Sequence, residues 1–124
     1  LKLKKRDKVI VVTGSLTSEI ALPALGRLAM TGGAYRFEDG RLAGSSLTMI
    51  GALGNAVKNC GIPLLDALKL ITLNPAKLLG IERNKGSIAA GKDADIAVFD
   101  EEFDVKMTMI RGRIAFVKGK ICAG

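Results

Sequence analysis

The stretch Val9-Ile10-Val11-Val12-Thr13-Gly14 sets the reading of this chain. Four consecutive apolar, β-branched residues suit a parallel strand buried on both faces, which has no solvent side to alternate with. The run ends in Thr13-Gly14 and passes into a long segment, Ser15 to Leu47, before the next helical pattern begins. A strand that opens into a long loop is where barrel enzymes carry their chemistry. An excursion of this length between a strand and a helix is uncommon and usually functional.

Outward from that stretch, Lys2 to Lys8 reads as the end of a helix or a linker. Within the excursion, Ser18-Glu19 is expected to cap a short helical piece that Pro23 interrupts, and Gly32-Gly33 marks a turn. Ala34-Tyr35-Arg36-Phe37 reads as a short strand, and Glu38-Asp39-Gly40 as a hairpin turn before Arg41-Leu42. Ser46 or Thr48 then caps a helix to about Cys60, with Met49, Ala52, Leu53, Ala56, Val57 and Cys60 at helical spacing. Gly61 suits its C-terminus. Pro63 opens the next helix, with Leu64, Ala67, Leu68 and Ile71 on one face. Asn74-Pro75 is expected to break that helix, Ala76 to Leu79 to add one turn, and Gly80 to end it.

From Gly86 the period changes to two. Ile96 and Val98 alternate with Ala97 and Phe99, and Val105, Met107 and Met109 with Lys106, Thr108 and Ile110. The turn Arg111-Gly112-Arg113 leads to Ile114–Val117, then Lys118-Gly119-Lys120 and Ile121, a run of short antiparallel strands. A boundary near residue 84 divides the chain into 1–84, a strand–loop–helix part, and 85–124, a small β part.

At 124 residues the chain is at most one ordinary domain. A complete eight-stranded barrel needs roughly 250 residues. The first residue is Leu1 rather than Met, which fits a chain that begins within a longer polypeptide. Apolar residues make up 48% of it, and the mean hydropathy is +0.29. That excess is expected to be surface covered by other parts of a larger protein. No membrane role is expected: Leu42 to Val57 is uncharged but contains three Gly, two Ser, Thr and Asn, and falls short of a spanning helix. The basic start, Leu1 to Arg6, is followed by Asp7-Lys8 where a signal peptide would need an apolar core.

Cys60 and Cys122 fit no metal spacing and read as free thiols of a cytoplasmic protein. The net charge of +7 is scattered, and with one Tyr and no Trp there is no platform for stacking bases, so nucleic acid is not an expected partner. The chain has no histidine, so it does not supply the imidazole ligands of a usual hydrolase metal site. Asp93 and Asp95 invite an acid–base reading, but nothing else catalytic lies near them in sequence. Aspartates solvated or bonded within a turn are the preferred account.

Leu73-Asn74-Pro75-Ala76-Lys77-Leu78-Leu79-Gly80 and Lys85-Gly86-Ser87-Ile88-Ala89-Ala90-Gly91-Lys92-Asp93-Ala94-Asp95-Ile96 resemble the end of an amidohydrolase-superfamily protein. Leu42-Ala43-Gly44-Ser45-Ser46-Leu47-Thr48-Met49 narrows the resemblance to the N-acetylglucosamine-6-phosphate deacetylase family. The resemblance implies the C-terminal part of a TIM-like (β/α)8 barrel plus strands of a small β-sandwich, an α/β architecture. It also implies a divalent metal, zinc or iron, in the complete enzyme, held by a glutamate and histidines upstream of Leu1. The implied reaction is hydrolysis of the N-acetyl group to acetate and glucosamine-6-phosphate, and family members commonly form homodimers.

In that family the segment matching Leu42, Ala43 and Gly44 touches the sugar phosphate, largely through backbone. Gly44 allows close main-chain approach. The family's catalytic aspartate falls at the place of Gly14, which has no side chain to act as base or acid. Asp7 and Glu19 are not at the strand end, and the hydroxyls of Thr13 and Ser15 are poor bases near neutral pH. The chain alone is therefore expected to be inactive. Two other readings stand beside this one: a non-catalytic, truncated module that binds or associates, and a different amidohydrolase acting on cyclic amides.

Overall fold

In a computed structural model the structure describes residues 4–16 and 28–120. The expected cap at Ser18-Glu19, the interruption at Pro23, the strand residue Ile121 and Cys122 lie outside the described residues. The chain divides into two compact units, one made of Val12–Ala52 and the other of Leu1–Val11 with Leu53–Gly124. Among the described residues no helix is long and apolar enough to cross a membrane.

The unit Val12–Ala52 is built on a meander of three antiparallel strands, β1 (Leu28–Thr31), β2 (Ala34–Phe37) and β3 (Leu42–Ser45), in that spatial order. Gly32 and Gly33 both have positive φ (60° and 76°), so they close β1 onto β2 as a two-residue hairpin. Asp39 shapes the next turn by accepting the Arg41 amide at 3.0 Å. The turn at 32–33 and the strand at 34–37 follow the sequence expectation, whereas β1 was not foreseen. The helix α1 (Met49–Gly54) starts as expected, with the Thr48 hydroxyl accepting the Gly51 N–H at 3.2 Å.

The other unit holds the helices α2 (Leu64–Ile71) and α3 (Leu73–Leu78) and a second antiparallel sheet. That sheet comprises β4 (Ile96–Phe99), β5 (Val105–Ile110) and β6 (Arg113–Val117), in that order. These three strands and the turn at Arg111-Gly112 match the period-two reading. The core of this unit is small: Leu53, Leu70 and Ala67 are 1% exposed, and Ile62 and Ala76 accompany them.

Several sequence expectations are corrected. The stretch Val9–Thr13 forms no strand ladder, and Val12 is 80% exposed. Val9 is extended (φ −114°, ψ 137°), but a parallel strand requires backbone partners, and the Val11 N–H instead donates to the Leu70 carbonyl at 3.1 Å. Leu70 lies in the last turn of α2, where carbonyls lack helical partners. The helix to Cys60 widens into a π turn over Asn55–Asn59, which moves Cys60 off the apolar stripe and leaves it exposed. In α2 the buried residues are Ala67 and Leu70, while Leu64 is 40% exposed. The break falls at Thr72 (φ −125°, ψ −78°), so Asn74-Pro75 lies in the first turn of α3, where Pro is tolerated.

Candidate functional site

Gly14 has φ 58°, a left-handed conformation that glycine adopts without steric cost. That bend turns the chain so that the next residues run alongside the end of β3. Ser15 and Ser45 form a parallel bridge. In it the Ser45 N–H donates to the Gly14 carbonyl at 3.0 Å, and the Leu16 N–H donates to the Ser45 carbonyl at 2.9 Å. The structure thus brings Gly14 beside the Leu42–Ser45 strand. The Thr13 hydroxyl accepts the Ser15 N–H at 3.3 Å, so it serves the local turn.

Leu42, Ala43 and Gly44 form the first three positions of β3. Tyr35 pairs with Gly44 and Arg36 with Leu42, so Ala43 is the extra residue of a β-bulge. A bulged residue is left outside the ladder, and such irregularities concentrate next to active sites. Leu42 is 63% exposed, and Ala43 and Gly44 are half-buried. The arrangement offers main-chain polar groups in a shallow setting and no acid or base. Beyond β3 the Ser45 hydroxyl accepts the Leu47 N–H at 2.8 Å. Ser46 is tied back to the β1–β2 turn, its hydroxyl donating to the Gly33 carbonyl at 2.9 Å.

The other carboxylates raised by the sequence have structural partners. Lys85 Nζ lies 2.8 Å from the Asp93 carboxylate and also pairs with Asp95. Asp95 accepts the Arg111 N–H at 2.8 Å, which anchors the β5–β6 turn. The Lys85 ammonium and then the Arg111 amide hold Asp95 below its ordinary range, the wrong direction for a general base near neutrality. Asp7 belongs to a 3₁₀ turn, Arg6–Lys8, and Glu19 lies outside the described residues. With no histidine in the chain, and no three His, Cys, Asp or Glu side chains placed to share an ion among the described residues, these residues do not fit a catalytic metal.

Three features escaped the sequence reading. The bulge at Ala43 depends on register and has no local signal. Asn74, 5% exposed, is a clamp as well as a helix-start residue. Its amide donates to the carbonyls of Arg6 at 2.8 Å and Val9 at 2.7 Å. An open depression of about 550 Å³ lies at the β5–β6 turn, lined by Ile110, Arg111, Arg113, Ile114 and Ala115; the sequence marks none of these as a site.

The profile of the Amidohydrolase family matches residues 29–115. The chain belongs to that family. Within it, the chain is 34% identical over 116 residues to N-acetylglucosamine-6-phosphate deacetylase of Haemophilus influenzae, an alignment covering 88% of this chain and 30% of that relative. The crystal structure of N-acetylglucosamine-6-phosphate deacetylase from Thermotoga maritima superposes with a TM-score of 0.76 at 31% identity, covering 94% of this chain and 33% of that one. A mutant of the Mycobacterium smegmatis deacetylase, solved in complex with N-acetyl-D-glucosamine-6-phosphate, gives a TM-score of 0.70 at 29% identity, covering 89% and 31%. The chain thus spans about a third of the length of these relatives.

Proposed function

We propose that this chain is the C-terminal part of a metal-dependent N-acetylglucosamine-6-phosphate deacetylase, contributing the main-chain contacts of the substrate site. The observation that supports the reading is the bridge from Gly14 to Ser45, which sets Gly14, taken as the counterpart of the family's catalytic aspartate, beside the bulged segment Leu42–Gly44. Ala43, without a ladder partner, presents main-chain groups to an oxygen-rich ligand, and exposed Leu42 flanks it. In this reading residues 1–84 belong to the barrel side, where neighbouring strands would flank Val9–Thr13. Residues 85–124 supply strands of the β-sandwich.

The zinc or iron that activates water in such enzymes would take its ligands from outside these residues. Gly14 leaves the chain without the proton-transferring carboxylate, so catalysis by the chain alone is not expected. A homodimer in the cytoplasm is the proposed setting; exposed apolar side chains such as Leu65, Leu78 and Ile88 favour self-association.

Gly14 and the absence of histidine favour one further reading, a non-catalytic module that binds a sugar phosphate without turning it over. The gene product carrying this segment, isolated from its source cells, decides between them. Acetate release from N-acetylglucosamine-6-phosphate, without hydrolysis of a cyclic amide such as dihydroorotate, supports the deacetylase. Binding of the sugar phosphate with no turnover supports the module. Hydrolysis of the cyclic amide alone contradicts both.

A further inference from the structure

The side chain of Leu16 lies against the bare face of Gly44. A Cβ at Gly44 would collide with Leu16 Cγ and would lie 2.5 Å from its Cδ1 and 3.2 Å from the Gly14 carbonyl oxygen. Leu16 therefore occupies the volume that any side chain at position 44 would need. Its main chain is held as well, because its N–H donates to the Ser45 carbonyl at 2.9 Å. Next to this contact, Ala43 is the bulged residue of β3. A residue without ladder bonds relies on what packs around it to hold its position.

We propose that Leu16 is a positioning residue for the sugar-phosphate site: seated on Gly44, it fixes the bulged main chain at Ala43 and Gly44 where the ligand meets it. The inference rests on the reading of Leu42–Gly44 as a ligand contact. It assigns the glycine at 44 to accommodation of Leu16, with ligand contact falling to the polar main-chain atoms of the bulge.

The test is the affinity of the full chain for N-acetylglucosamine-6-phosphate, titrated in four variants beside the native protein. Leu16→Ala weakens binding about fivefold or more, and Gly44→Ala about tenfold or more. Leu16→Met, which refills the space with a flexible apolar chain, stays within about twofold of native. The double variant Leu16→Ala/Gly44→Ala binds more tightly than Gly44→Ala alone, because the new methyl group takes the space that the leucine leaves. If the native chain binds and Leu16→Ala leaves affinity unchanged, or the double variant shows the simple product of the two losses, the positioning role is wrong while the ligand-contact reading stands. A native chain that does not bind the sugar phosphate overturns the ligand-contact reading and the positioning role with it.

Discussion

The Ser45 N–H donates to the carbonyl of Gly14 at 3.0 Å, joining two positions far apart in the sequence into one short parallel pairing. Everything assigned to the candidate site depends on that pairing. It sets Gly14 beside β3 and lets Leu16 reach Gly44. The proposed ligand contact is therefore built from main chain, and its chemistry is that of carbonyls and N–H groups.

Gly14→Asp is expected to fold and stay inactive. A Cβ at Gly14 meets no atom within 4 Å, so the carboxylate has room. The left-handed backbone costs an L-residue about 1–2 kcal/mol, with Asp among the better tolerated. Urea unfolding should show a loss of about 1 kcal/mol. An acetate assay on N-acetylglucosamine-6-phosphate with zinc supplied should give no product. Metal-dependent acetate release would contradict the proposal that the metal ligands lie outside these residues.

Asn74→Ala removes two donated bonds, to the Arg6 and Val9 carbonyls. Both acceptors then lose a partner at a part-buried junction. The expected loss is about 1–3 kcal/mol in urea unfolding, with faster amide exchange at Val11, whose N–H lies next along this segment.

Gly86→Ala should be more damaging than a surface change. The added Cβ would lie 2.7 Å from Ala76 Cβ and 3.0 Å from the Thr72 carbonyl, at φ 86°. Strain and overpacking together predict a loss of about 2–5 kcal/mol. A stability within 0.5 kcal/mol of native, about the scale of a neutral surface change, would contradict the packing of this loop.

Acid should loosen the β4–β5 turn. The Lys106 ammonium first, and then the Asp104 N–H, lower the Asp100 pKa from 3.8 to about 2. Because the folded value lies below the unfolded one, the stabilisation is present above about pH 4 and is lost as pH falls through about 2. The thermal midpoint should fall across that window in the native chain and fall less in Asp100→Asn. An equal decline in both would remove Asp100 from the account.

What the sequence disclosed was local. The turn at Gly32-Gly33, the Thr48 cap and the turn at Arg111-Gly112 each follow from a few adjacent residues whose conformational preferences decide the matter. The Leu42–Met49 motif and the C-terminal glycine and aspartate pattern led to the right family. What stayed hidden depended on distant partners. Val9–Val12 has the composition of a buried strand, yet pairing needs neighbours, and Val11 bonds a helix end instead. Leu16, Asn74 and the bulge at Ala43 acquire their roles from residues that no local pattern connects.

The most direct measurement is an amide chemical-shift map of the ¹⁵N-labelled chain titrated with N-acetylglucosamine-6-phosphate. Saturable shifts are expected at Leu42, Ala43 and Gly44, with smaller ones at Ser15, Leu16 and Ser45. Shifts confined to β4–β6, or a spectrum unchanged at millimolar ligand, would contradict the claim that this chain carries a substrate contact.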